Sequence, residues 1–153
     1  MEGNIDVITL HQAGFDNTVA TMGTALTEEH VRLLGRYTKE LVLCYDNDAA
    51  GEDATQRAIA LLRSSEIGVK VLRLPKRRMP DGTLGKQDAD DYIKNCGPAA
   101  FEELMDGSAN SAEYRLSVVQ GRFDLSRDDQ RAQYLLAAAA VVAGLPSSVE
   151  REF

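Results

Sequence analysis

Two short acidic runs hold the residues best suited to chemistry. Asp46-Asn47-Asp48 and Asp88-Ala89-Asp90 each set two carboxylates one residue apart. Carboxylates at this spacing suit a hard divalent cation such as Mg2+, which takes one or two of them and fills its octahedron with water and phosphate oxygens. The first pair follows the apolar run Leu41-Val42-Leu43-Cys44-Tyr45 and precedes Ala49-Ala50-Gly51. Such a run reads as a buried strand, and the stretch after it as a helix. The strand would deliver both carboxylates at its carboxyl end, the edge where open α/β sheets bind ligands. These residues alone support a plainer reading equally well. Asp-x-Asp before a helix also serves as turn and N-cap, accepting hydrogen bonds from free backbone N–H groups. The same holds at Asp88, since acids in a first helical turn complement the helix dipole.

Between the acidic runs lies Pro75 to Gln87, PKRRMPDGTLGKQ, read as a loop around Pro80 and the turn-forming Asp81-Gly82. It carries Lys76, Arg77, Arg78 and Lys86. Basic loops are most often solvated excursions. Directly before an acidic run, these four become candidates for nucleic-acid or triphosphate contact. The formal charge of −7 argues against a surface that grips nucleic acid throughout. It leaves room for a local basic patch, or for acids offset by bound metal. The two cysteines, Cys44 and Cys96, form no CxxC or Cys/His cluster, so no zinc is expected. His11 and His30 read as surface or packing residues.

The elements that must position these groups follow from periodicity. Helices are expected over 6–13 and from the N-cap Thr27 to about Tyr37, the latter burying Val31, Leu33 and Leu34. Strands are expected over 18–22, 41–45 and 69–74. A helix over 49–64 would turn Ala50, Ala54, Ala58, Leu61 and Leu62 inward, and helices over 88–95 and 98–105 complete the first part. From Asp106 to Ala112 the composition shifts to Gly, Ser, Ala and Asn. The chain therefore divides into 1–106 and 107–153, with helices over 113–121 and 127–143 and another opening within 147–153. Strands alternating with helices give an α/β fold, a mostly parallel sheet flanked by helices, followed by a small all-α segment. A further strand is expected before Glu2, so the chain reads as an excised piece whose first strand is truncated. No apolar run approaches the ~20 residues that span a bilayer, and no signal peptide opens the chain, so no membrane partner and a cytoplasmic location are expected.

Read in order, EGNIDVITLHQAGFDNTVATMGTALTEEHVRLLGRY, VLCYDNDAAGEDA and DADDYI closely resemble the Toprim region of bacterial DnaG-type DNA primases. The tail, YRLSVVQGRFDLS and LPSSVEREF, is similar to the helical subdomain that follows it in these enzymes. The resemblance implies a Toprim-like fold and a part of the RNA polymerase domain. Its activity would be synthesis of short RNA primers from ribonucleoside triphosphates on a single-stranded DNA template, at the bacterial replication fork. It implies Glu2, Asp46 and Asp48 as catalytic residues, and Glu2, Asp6, Asp46, Asp48, Asp88 and Asp90 as ligands of one to three Mg2+ or Mn2+ ions. It places the replicative-helicase contact in a region outside this chain. Metal ions would activate the attacking hydroxyl and neutralise phosphate charge. Six gathered carboxylates repel by several kcal/mol per close pair at an effective dielectric of about 20, a cost that bound cations remove.

The chain departs from the family pattern at three points. Asn4 stands where a tyrosine is usual, Ala89 replaces a frequent proline, and the 75–87 loop is longer and more basic. With its first strand truncated, the chain alone is expected to bind metal weakly and to prime weakly or not at all. Two other Toprim enzymes, a topoisomerase and an OLD-type nuclease, are alternatives, as is a non-catalytic Toprim-like scaffold. None of the five tyrosines has the context of a topoisomerase nucleophile. A receiver or phosphatase-like domain also sets acids at strand ends, but DADDYI and the helical tail argue against it.

Overall fold

Helix α1 (Asn4–Gln12) opens the fold and stops where Gly14 takes φ +100°, a conformation that costs glycine little. The computed structural model describes residues 1–78 and 81–145. The expected strand over Thr18 to Met22 does not form. Its backbone partner there is Met1, whose O accepts from Thr21 N–H at 3.3 Å and whose ammonium donates to Val19 O at 3.1 Å. These are the two bonds of a single parallel bridge. Positive φ at Met22 and Gly23 (58° and 76°) then turns the chain away.

Helix α2 (Glu28–Leu34) starts at Thr27 as expected. Thr27 Oγ1 accepts from His30 N–H, and His30 Nδ1 accepts from Thr27 N–H, so His30 completes a capping box. Val31 is buried but Leu33 is 50% exposed. Two residues of helix turn the chain about 200°, so the two cannot share the buried side.

Strand β1 (Glu40–Leu43), helix α3 (Ala49–Leu62) and strand β2 (Gly68–Val71) form a parallel β-α-β unit, with Glu40 beside Gly68 and Leu43 beside Val71. Helix α3 buries Gly51, Thr55, Ala58, Ile59 and Leu62. This face is rotated from the expected one: Ala50 is exposed and Ala54 only half-buried. The cause is Gly51. A Cβ there would sit 1.9 Å from the Asp46 carbonyl oxygen, so only glycine lets the helix's first turn lie against that backbone. The buried Thr55 hydroxyl donates to Gly51 O at 2.7 Å.

The expected loop over 75–87 contains a hairpin. Strands β3 (Arg77–Arg78) and β4 (Leu84–Gly85) pair antiparallel, Arg77 opposite Gly85. Helices α4 (Ala89–Cys96) and α5 (Pro98–Asp106) follow. The core joins Leu10, Cys44, Leu72, Leu74, Tyr92 and Phe101, and the Phe15 ring meets Phe101 edge-on at 5.0 Å.

These elements make up one compact unit, Met1–Ser108, and Ala109–Phe153 makes up another. The second opens on the two-residue strand β5 (Ala109–Asn110), then helices α6 (Ser111–Gln120) and α7 (Asp128–Ala143). Asn110 Oδ1 accepts from the N–H groups of Ala112 and Glu113, while Glu113 accepts from Asn110 N–H. The Phe123 and Tyr134 rings lie 6.3 Å apart where α6 and α7 meet. The helix expected within 147–153 falls outside the described residues. Among the described residues no helix is long and apolar enough to cross a membrane.

Gly51→Ala is expected to lower the unfolding free energy by about 3 kcal/mol through overpacking. Ala50→Gly, on the exposed side, should cost about 1 kcal/mol. Urea titration of both variants checks this, and a smaller loss for Gly51→Ala than for Ala50→Gly would contradict the close approach.

Candidate metal centre

The turn that leaves β1 is held from two sides. Asn47 Nδ2 donates to Leu74 O at 2.7 Å, tying the turn to the stretch after β2. Asp48 caps α3, its Oδ1 accepting from Gly51 N–H at 2.8 Å. One cation meets an oxygen of each acid: Lys86 Nζ lies 2.7 Å from Asp46 Oδ2 and 2.6 Å from Asp48 Oδ2. Lys86 stands directly after β4, so the hairpin carries it there. The Lys86 hydrogen bond, then the Gly51 N–H, hold the Asp48 carboxyl below the usual carboxylate range. Asp46 and Asp48 in turn push the Lys86 ammonium well above the usual lysine value.

Glu2, Tyr45, Asp46, Asp48, Arg57 and Lys86 line one open cleft of about 350 Å³. Burial raises the Glu2 carboxyl above its ordinary value, and the charges of Asp46 and Asp48 raise it further, against Lys86 and the N-terminus. The cleft thus keeps an excess of negative charge even with Lys86 in place.

A second acidic group surrounds the start of α4. Asp88 Oδ1 caps the helix, accepting from Asp91 N–H at 2.7 Å. Asp90 accepts from Thr9 Oγ1 and from Lys94 Nζ, the latter at 2.6 Å, and these bonds lower its carboxyl. Carboxylate oxygens of Asp88, Asp90 and Asp91 lie within 4.8 Å of one another. Asp6 links the two groups. It accepts from Asp90 N–H at 3.1 Å. Burial raises its carboxyl despite that bond, and Asp88, Asp46 and Asp90 add to the rise.

The donor set fits a divalent cation of the Mg2+ type: every donor is a hard oxygen, and no imidazole or thiolate joins it. The ammonium between Asp46 and Asp48 marks a point where two carboxylate oxygens already converge on positive charge. Sequence reasoning put Glu2, Asp6, Asp46, Asp48, Asp88 and Asp90 at one site. The structure gathers Glu2 with Asp46 and Asp48, gathers Asp88 with Asp90, and sets Asp6 between. Of the four basic candidates only Lys86 reaches the acids. Lys76, Arg77 and Arg78 are exposed and make no ion pair among the described residues.

Arg57, Asn47, Asp91, Thr9 and Lys94 went unpredicted. A signal for Arg57 existed: Ala50, Ala54 and Arg57 recur at i, i+4 and i+7, and this face of α3 lines the cleft.

Residues 1–93 match the family described as Toprim-like, and residues 112–153 match the family described as DnaB-helicase binding domain of primase. The second match falls inside the chain, where the resemblance alone had put the helicase contact outside it. The DNA primase of Listeria monocytogenes is 36% identical over 99% of this chain, and that of Clostridium acetobutylicum 32% over 95%. The chain spans 23% of the length of each of these curated relatives. Among solved structures, a DnaG primase catalytic domain bound to ssDNA is 30% identical with a TM-score of 0.71. The RNA polymerase domain of Mycobacterium tuberculosis DnaG in complex with double-stranded DNA is 28% identical with a TM-score of 0.76. Both likenesses cover 99% of this chain and 46% of the other.

The raised carboxyl of Asp6 means that the folded chain holds its proton more tightly than the unfolded chain. Ionised Asp6 therefore costs stability at neutral pH, and the cost fades as pH falls through its raised value. Asp6→Asn is expected to melt higher than the parent at pH 7 in chelator, with the gap closing toward pH 4. Thermal melts across that range check it, and a gap that widens on acidification would contradict the sign.

Proposed function

This chain belongs to the Toprim-like family, and on that premise we propose that it is the metal-holding portion of a DNA primase's RNA polymerase domain. The enzyme would make short RNA primers from ribonucleoside triphosphates on single-stranded DNA during bacterial DNA replication. The observation that carries this reading is the convergence of Glu2, Asp46, Asp48 and Lys86 on one cleft.

In this reading Glu2, Asp46 and Asp48 hold Mg2+ or Mn2+ as catalytic ligands, and Asp6, Asp88 and Asp90 extend the site. Such an ion, when bound, lowers the pKa of an attacking oxygen and neutralises phosphate charge. Lys86 and Arg57 offer cations to the triphosphate from opposite elements of the cleft. Lys76, Arg77 and Arg78, exposed and without an ion pair among the described residues, offer phosphate contacts along the template. Residues 1–106 form the catalytic core and 107–153 part of the helical subdomain. The helicase-binding family match over 112–153 supports a replicative helicase as partner, and a relative solved with ssDNA supports the template.

A calorimetric Mn2+ titration of this chain beside the Asp46→Ala, Asp48→Ala double variant tests the site. Saturable binding lost in the variant is expected, and binding of equal strength in both would remove the two aspartates from it. In the full-length enzyme, Arg77→Ala with Arg78→Ala is expected to weaken template binding and to reduce the slope of log affinity against log salt by roughly 1.4, about 0.7 per lost single-strand contact. An unchanged slope would remove these arginines from the template path.

A further inference from the structure

Lys86 occupies the place a cation would take, and it is the group there most easily moved. Its Nζ is the common partner of Asp46 Oδ2 and Asp48 Oδ2, yet its side chain is 56% exposed. It follows a hairpin of two-residue strands whose arginines are also exposed. Short strands with few buried contacts open locally at little cost. Asp46 and Asp48, by contrast, sit on a turn fixed by Asn47 and by the cap on α3. The acids are held and the ammonium is not.

Charge favours exchange. Glu2, Asp46 and Asp48 bring three carboxylates to the cleft against two cations, Arg57 and Lys86, and only Lys86 stands between two of the acids. A divalent cation neutralises more of that excess than an ammonium can. Mg2+ also binds oxygen at about 2.0–2.1 Å, closer than an ammonium approaches. The two cations repel and cannot share one point between the same oxygens.

We propose that Lys86 is a displaceable counter-ion: it holds Asp46 and Asp48 together in the metal-free chain and gives up that place when a divalent cation enters. Resting on the carboxylate-site reading above, this goes further. It makes the basic hairpin responsive to metal, and it gives Lys86 two successive partners, the carboxylates first and phosphate oxygen afterwards.

The test reads the lysine itself. The 153-residue chain is acylated briefly with an amine-reactive ester, with and without saturating Mn2+, and labelling is measured by mass spectrometry. Lys39 and Lys70 pair with Glu66 and Glu40 away from the cleft and serve as references. Lys86 labelling is expected to rise several-fold with Mn2+ while the references stay constant. In parallel, Lys86→Met is expected to bind Mn2+ several-fold more tightly than the parent, with an unchanged circular dichroism spectrum. Metal uptake with unchanged or slower Lys86 labelling, or weaker uptake by Lys86→Met, would overturn the exchange and leave the carboxylate site standing. No uptake by either chain would overturn both.

Discussion

The cleft depends on one close approach: the first turn of α3 against the backbone of Asp46. A missing methyl group makes it possible, since any side chain at Gly51 would enter the Asp46 carbonyl. With helix and turn in contact, the free N–H of Gly51 lies within reach of Asp48 Oδ1. The turn is gripped again at Asn47, whose amide reaches Leu74 O. One oxygen of Asp46 and the second oxygen of Asp48 then face the same cation. Fixed backbone and free carboxylate edges are what a cation site needs.

Capping and ion binding are two uses of one carboxylate, not rival accounts of it. Asp48 spends Oδ1 on the helix and leaves Oδ2 to the cleft. Asp88 likewise spends Oδ1 on Asp91 N–H. Asp48 and Asp90, hydrogen-bonded to lysines, are lowered, while burial raises Glu2, and raises Asp6 despite its bond from Asp90 N–H. Crowded charge is thus distributed: some acids are secured by donors, and their neighbours absorb the strain as a rise in proton affinity.

Local signals were legible in the sequence and non-local ones were not. The strand–turn–helix at Asp46, the caps at Thr27 and Asp48, the helix start at Asp88 and the acidic pairs all depend on neighbours a few residues away. The strand expected over 18–22 needed a ladder partner, which sequence pattern does not supply. The face of α3 was misread because alanine is nearly indifferent to burial, whereas the deciding contact belonged to Gly51 and a carbonyl five residues earlier. Ala50 and Ala54, read as core, instead line the cleft beside Arg57, while Ala58 is buried as expected. Lys86 was indistinguishable from Arg77 and Arg78 by composition; its place after β4 brings it to the acids.

The basic hairpin is flanked by two buried residues of the first unit, Leu74 at 2% exposure and Gln87 at 6%. An excursion with both ends anchored is decoupled in length from the body beneath it. Doubling such a loop costs only about 0.6 kcal/mol of closure entropy, and neither anchor need shift. Insertions and deletions can therefore accumulate between Pro75 and Lys86 without disturbing the Asp46 turn. This surface is where relatives can diverge in reach and charge while the carboxylates stay in place.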